Sequence, residues 1–225
     1  MKAKSLVWLH LVFVLTVIYV LAWLPKWPFS KYLFVGTFAY IVGLEIFYSW
    51  KSQETDSSLV NLGNWGSLTR TSLKDFYLYF GVVLLAVLTL WLAGWGLGTL
   101  HKPGTGWRRV EGYFWSSMVQ QFVLQITLLR RFLVLLPSKW SAVLISALCF
   151  AFVHAPNPVL TSLCVVSGLL LCSLYEKTRN FWLCVVFHMA LGLSLSLSMP
   201  EQFTGGMKAG KRYVEWIERQ RIQNK

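Results

Sequence analysis

Seven runs of mainly apolar residues take up most of the chain, and all except the shorter fifth and sixth are about as long as a bilayer is thick. A helix rises 1.5 Å per residue, so roughly 20 such residues cross about 30 Å of hydrocarbon. The sequence therefore predicts an all-α, polytopic membrane bundle of about seven transmembrane helices, with six to eight possible. The runs are Ser5–Leu24, Tyr32–Trp50, Phe76–Gly98, Gly112–Leu129, Trp140–Ala155, Val159–Tyr175 and Phe181–Met199.

The composition agrees with a membrane protein, since 56% of the 225 residues are hydrophobic and only 13% are charged. A soluble domain of this size needs a more polar surface. No polar stretch is long enough to form a second core, so we expect one transmembrane domain over residues 1–225. The net charge of +12 comes from Lys and Arg in short segments between apolar runs, where they favour anionic lipid. Nucleic acid is therefore not an expected partner.

The loops and termini give further expectations about topology. Leaving out the C-terminal tail, the N-terminal side of seven spans carries ten Lys and Arg against five opposite, which favours a cytoplasmic N-terminus in the plasma (inner) membrane. The first run lacks a small-residue cleavage site and reads as a retained anchor. Polar residues 51–75 predict a surface loop. In the tail, 207–225, Tyr213, Trp216 and Ile217 share one helical face, which predicts an amphipathic helix on the membrane surface.

Polar side chains inside the fourth run require partners, because an unpaired polar group is costly in lipid. Ser117, Gln121 and Gln125 follow one another at four-residue spacing and share a helical face, which we expect to look into the bundle. Hydrogen bonds between helices would explain them, and so would a functional cavity.

Two histidines lie in later runs, His154 at the end of the fifth and His188 in the seventh. Counting 1.5 Å per residue from the run ends puts Gln120, Gln121 and both histidines in the same half or the middle of the bundle. That depth is consistent with one polar cavity. The turn Pro156-Asn157-Pro158 predicts a tight re-entrant hairpin beside it.

These residues resemble the motifs of the CPBP family, the CAAX protease and bacteriocin-processing (Abi) intramembrane endopeptidases. The family pattern is a Glu-Glu pair followed by Arg, then Phe-x-x-x-His, then His-x-x-x-Asn. Gln120-Gln121 with Gln125 occupies the first position, Phe150 to His154 the second, and His188 to Gly192 the third. The resemblance covers a core of approximately residues 112–199.

The resemblance implies an endopeptidase that hydrolyses a peptide bond of a membrane-associated protein or peptide. In the family the Glu pair activates water, but Gln cannot accept that proton. A histidine is then the expected base, with His154, His188, Gln120 and Gln121 as the catalytic group. Gln125 at the Arg position, together with Phe150 and Asn157, forms the expected binding group.

Other functions stay open on the sequence alone. An inactive homologue would bind a peptide or lipid-linked partner in the same cavity. The polar cavity could also serve as a proton or small-solute pathway, and a purely structural bundle is a further alternative. We expect neither a cofactor nor a metal, because His154 and His188 lack an evident third ligand. The oligomeric state is not indicated.

Overall fold

The computed structural model describes residues 2–23, 32, 35–44, 73–100 and 106–223, and all regular elements within them are helices. A π-helical segment, Phe122–Leu129, joins two α-helices, and a short 3₁₀ turn, Gly205–Met207, precedes the last helix. The α-helices are α1 (Lys2–Trp23), α2 (Val35–Leu44), α3 (Leu73–Gly96), α4 (Gly106–Gln121), α5 (Arg130–Leu135), α6 (Lys139–Phe152), α7 (Pro158–Thr178), α8 (Phe181–Ser198), α9 (Glu201–Thr204) and α10 (Gly210–Gln223).

Four of the described helical stretches are long and apolar enough to cross a membrane: Leu73–Gly96, Val110–Leu135, Pro158–Thr178 and Phe181–Ser198. Shorter apolar helices occupy three further predicted spans, at Val7–Trp23, Val35–Leu44 and Lys139–Phe152. The helical membrane bundle is confirmed, and the count of seven spans stays a prediction. Residues 33–34 and 45–50 of the second predicted span and most of the predicted loop 51–75 lie outside the described residues. Residues 73–75 already belong to α3.

The α6–α7 hairpin is as tight as its Pro-Asn-Pro turn predicts. Asn157 is the N-cap of α7 and Pro158 is its first residue, where the missing amide proton of proline costs nothing. Gly168 lets the two helices approach closely, since a Cβ there would lie 3.1 Å from Ala147. Small residues serve this purpose in membranes, where packing rather than water exclusion holds helices together.

Two ion pairs mark one end of the bundle. Lys139 at the start of α6 lies 2.6 Å from Glu176 near the end of α7, and Lys177 lies 3.9 Å from Asp75 at the start of α3. The opposite end therefore holds the α6–α7 turn, together with the ends of α3 and α8. At that end Gly94 of α3 packs on the backbone of Ser198.

The C-terminal segment folds back over this opposite end, and the helix predicted within 207–225 is observed as α10. We call residues 200–210, which lead from the end of α8 to the first residue of α10, the strap. The backbone N–H of Gly210 donates to the carbonyl oxygen of Ala155 at 2.8 Å, so the strap ends against the α6–α7 turn. The location of α10 on the membrane surface stays a prediction.

Candidate active site

A chain of hydrogen bonds runs from the middle of the fourth span to α8. The Nε2 of Gln125 donates to Oε1 of Gln121 at 2.9 Å, and Nε2 of Gln121 donates to Nδ1 of His188 at 2.8 Å. Neither glutamine side chain is exposed. The four-residue spacing that predicted an inward face therefore places two predicted site residues in one relay with His188.

The relay crosses the point at which α4 gives way to the π-helical segment. The N–H of Arg130 bonds to the carbonyl of Gln125, five residues back, which is the π-helical pattern. Seven of the eight π-helical residues are buried, so this widened turn is held by packing on all sides. Such turns are rare and occur frequently at functional sites.

His154 approaches the same place from α6. Its Nδ1 donates to the carbonyl oxygen of Phe150 at 2.8 Å, one turn earlier. The ring of Phe150 meets both imidazoles edge to face, with centroids 4.9 Å from that of His154 and 5.7 Å from that of His188. Two predicted histidines, from two different motifs, thus contact the ring of Phe150.

The hydrogen bonds give the two neutral imidazoles opposite tautomers. His154 uses its Nδ1–H on a carbonyl oxygen, so its Nε2 carries a lone pair. Nδ1 of His188 accepts the hydrogen bond from Nε2–H of Gln121, so the proton of the neutral His188 ring is on Nε2. Both side chains keep part of their surface accessible, whereas Gln121 and Gln125 are fully buried. We call the group formed by His154, Phe150 and His188 the candidate pocket. It has one histidine that can accept a proton and one that can donate a hydrogen bond.

Gln120 is not joined to this group. Its Nε2 donates to Ser116 at 2.8 Å, and its Oε1 has no partner among the described residues. Consecutive residues of a helix point about 100° apart, so Gln120 and Gln121 cannot both face His188.

Asn157, predicted to bind substrate, has its side chain engaged within the chain. Its Oδ1 accepts from the N–H of Leu160 at 3.0 Å, and its Nδ2 donates to the carbonyl oxygens of Thr204 at 2.8 Å and Lys208 at 3.0 Å. Asn157 therefore caps α7 and holds the strap in this structure, and its binding of substrate stays a prediction.

Sequence reasoning missed Tyr113. A Cβ at Gly192, the residue at the family's Asn position, would lie 3.0 Å from Cε1 of Tyr113. The tyrosine ring therefore fills the space of the absent side chain, one turn from His188. The sequence contains a signal for it: Tyr113 lies four residues before Ser117, at the same spacing that separates Ser117 from Gln121, so it shares their helical face.

Within the described part of the chain, no three His, Cys, Asp or Glu side chains converge as a metal site would require. The four cysteines are free thiols in α6, α7 and α8. The absence of a metal stays a prediction.

Comparison with known proteins gives one match. A family model described as type II CAAX prenyl endopeptidase Rce1-like matches residues 2–194, which extends well beyond the motif region toward the N-terminus. No curated protein and no solved structure matches the chain.

Proposed function

The chain belongs to the Rce1-like family of type II CAAX prenyl endopeptidases, and on that premise we propose that it hydrolyses a peptide bond of a membrane-associated protein or peptide. The family consists of endopeptidases, and the apolar helices make this chain an integral membrane protein. The proposal extends the family's reaction to a chain in which Gln120 and Gln121 replace the Glu pair.

One observation carries the proposal: two imidazoles of opposite tautomer flank Phe150. Peptide hydrolysis needs a base for the attacking water and a hydrogen-bond donor for the oxygen that becomes negative. Nε2 of His154 has the lone pair for the first role. Nε2–H of His188 has the proton for the second.

The steps follow from these two atoms. Nε2 of His154 removes a proton from water as the water oxygen attacks the scissile carbonyl carbon, and Nε2–H of His188 donates to the resulting oxyanion. The protonated His154 then gives its proton to the leaving nitrogen as the C–N bond breaks, which releases an amine and a carboxylic acid. General bases typically contribute about 10²–10⁴-fold and one oxyanion donor about 10²–10³-fold.

Gln121 has a positioning role in this scheme. By donating to Nδ1 of His188 it keeps the proton on Nε2, and its own Oε1 is oriented by Gln125. A glutamine does this without taking a charge into the buried part of the bundle. The ring of Phe150 contacts both imidazoles, and its carbonyl oxygen orients His154.

The test is cleavage of membrane-tethered peptides, prenylated and unprenylated, by the purified protein in proteoliposomes. We expect His154→Ala to lower the rate by about 10²–10⁴-fold and His188→Ala by about 10²–10³-fold. Thermal unfolding of each variant separates loss of chemistry from loss of fold.

His10→Ala is the matched control. His10 is a buried histidine of α1 whose ring nitrogens have no hydrogen-bond partner among the described residues. We expect this variant to retain cleavage. If His154→Ala or His188→Ala cleaves the peptides at the wild-type rate, the proposed mechanism is excluded.

A second candidate is a binding module that uses the same pocket without chemistry. It is favoured by the relay Gln125–Gln121–His188, which consists only of neutral side chains and contains no carboxylate. In that case a photoreactive membrane peptide is captured by the wild-type protein, capture weakens in His188→Ala, and no product forms under any condition.

We also propose a multi-pass placement in the plasma (inner) membrane with a cytoplasmic N-terminus, on the basis of the loop charges. Labelling of single introduced cysteines from each side of intact cells tests this orientation. Labelling of an N-terminal cysteine from outside the cell would reverse it.

A further inference from the structure

The strap is bonded to the turn that carries His154. Nδ2 of Asn157 donates to the carbonyl oxygens of Thr204 and Lys208, and the N–H of Gly210 donates to the carbonyl oxygen of Ala155. These three bonds connect residues one and three positions after His154 to the segment leading into α10. Displacement of the strap would therefore release the turn beside the pocket.

The sequence of the strap is suited to close contact. Gly205 and Gly210 have φ of 61° and 55°, a conformation that L side chains rarely adopt. A Cβ on Gly205 would lie 2.5 Å from the ring of Tyr213, and one on Gly210 would lie 2.2 Å from the carbonyl oxygen of Ala22. The first residue of α10 is thus packed on the C-terminal end of α1.

This contact determines the depth, relative to the ends of the other helices, at which α10 begins. Ala22 and Ala155 lie where an apolar helix and an apolar hairpin end, so we expect α10 to start at the edge of the hydrocarbon region. The ring of Trp216 stacks on that of Tyr213 at 5.9 Å, and Nζ of Lys208 lies 5.7 Å above Trp216. Aromatic rings accompanied by a cation are typical of the headgroup region.

The outer side of α10 is mainly basic. Lys211, Arg212, Arg219 and Arg221 are exposed, and the acidic residues of the helix are Glu215 and Glu218. Arg219, which is exposed, lies 3.8 Å from the partly buried Glu215. The segment 208–223 therefore presents a net positive surface at the end of a membrane bundle, and it lies beyond the family match at 2–194.

We propose that α10 binds the anionic headgroups of the bilayer surface and that this binding holds the strap against the turn carrying His154. Lys and Arg near an anionic surface each favour the bound state, and the rings of Tyr213 and Trp216 suit the same depth. Anionic lipid thereby stabilises the geometry of the pocket from a site outside it.

The experiment is residue-resolved hydrogen exchange of the full chain in phosphatidylcholine nanodiscs, with and without phosphatidylglycerol, in the absence of substrate. The readout is independent of peptide hydrolysis. The amides of residues 211–222 report on α10. The Gly210 amide reports on the strap, and the Leu160 amide reports on the Asn157 side chain that protects it.

We expect phosphatidylglycerol to slow exchange at all three places. In the triple variant Lys211→Gln/Arg212→Gln/Arg219→Gln, the protection of the α10 amides against exchange in the anionic disc should fall by about fivefold for each charge removed. Glu218→Gln is the matched control, since it removes an exposed negative charge from the same helix and should increase protection.

Two results would overturn the proposal. Equal exchange of α10 in both lipids, unaffected by the triple variant, would mean that the helix binds no anionic surface. A response of α10 without a response at Gly210 and Leu160 would mean that lipid binding does not reach the turn.

Discussion

Two asparagines cap two neighbouring helices with the same geometry and differ in everything else they contact. Oδ1 of Asn157 accepts from Leu160 and Oδ1 of Asn180 accepts from Leu183, both at 3.0 Å. Asn157 is 1% exposed and Asn180 is 0% exposed. Nδ2 of Asn157 donates to two carbonyl oxygens of the strap, whereas Nδ2 of Asn180 has no partner among the described residues.

Replacement of each by alanine should therefore have unequal effects on stability. Loss of an N-cap costs about 1 kcal/mol, and Asn180→Ala should cost no more, since it also removes a buried unpaired amide. Asn157→Ala also leaves the buried carbonyl of Thr204 and the partly buried carbonyl of Lys208 without this donor, at about 1 kcal/mol each. We expect about 3 kcal/mol for Asn157→Ala, a difference of about 2 kcal/mol between the variants.

The measurement is reversible unfolding of both variants in the same detergent or bicelle, with the wild-type protein as reference. Asn157→Asp adds a stringent check. Aspartate is an equally good N-cap, but its second oxygen would face two carbonyl oxygens, so it should not restore stability. Equal losses for Asn157→Ala and Asn180→Ala, or full stability of Asn157→Asp, would refute the assignment of Asn157 as the residue that holds the strap.

Two further predictions concern the packing of α3 and the relay to His188. Gly94→Ala should destabilise the bundle in the same unfolding assay, because the added Cβ would lie 2.4 Å from the carbonyl oxygen of Ser198. Gly81→Ala on the same helix is the control. Its Cβ would meet no atom within 4 Å, so this variant should be neutral or slightly stabilising. Gln121→Leu removes one hydrogen bond to Nδ1 of His188, worth about 1.4 kcal/mol, and should lower peptide hydrolysis by about tenfold. Nitrogen NMR of labelled histidine should find the His188 proton on Nε2 in the wild-type protein. In Gln121→Leu the proton should exchange between Nδ1 and Nε2. A wild-type His188 with its proton on Nδ1 would mean that His188 donates to Gln121, the reverse of the assigned direction.

Much of the fold follows from apolar run length, because in a bilayer each run must close its own backbone hydrogen bonds as a helix. The Pro-Asn-Pro hairpin was predictable for a local reason as well, since two prolines and a capping side chain fix the turn. The π-helical segment was not, because its five-residue bond from Arg130 to Gln125 depends on packing around Phe122–Leu129 rather than on local preference. The strap was missed for a similar reason, since its partners Ala22 and Asn157 are distant in sequence.

The site was predictable where depth and helical face decided it. Gln121 was placed on an inward face by its spacing from Ser117 and Gln125, and counting along the helices placed His154 and His188 at compatible depths. Depth does not reveal which helices are neighbours, so the intervening ring of Phe150 and the packing of Tyr113 on Gly192 required coordinates. Gln120 was grouped with Gln121 by the family motif, although helix geometry turns it toward Ser116.

The most direct test of the central claim is single-turnover cleavage of membrane-tethered peptides in water enriched in oxygen-18, with the products weighed by mass spectrometry. If the pocket around Phe150 hydrolyses a peptide bond, the wild-type protein releases a fragment with one heavy oxygen in its new carboxylate, and His154→Ala and His188→Ala do not. If the wild-type protein captures the peptides but no labelled carboxylate forms, the pocket is a binding site and the proposed hydrolysis is wrong.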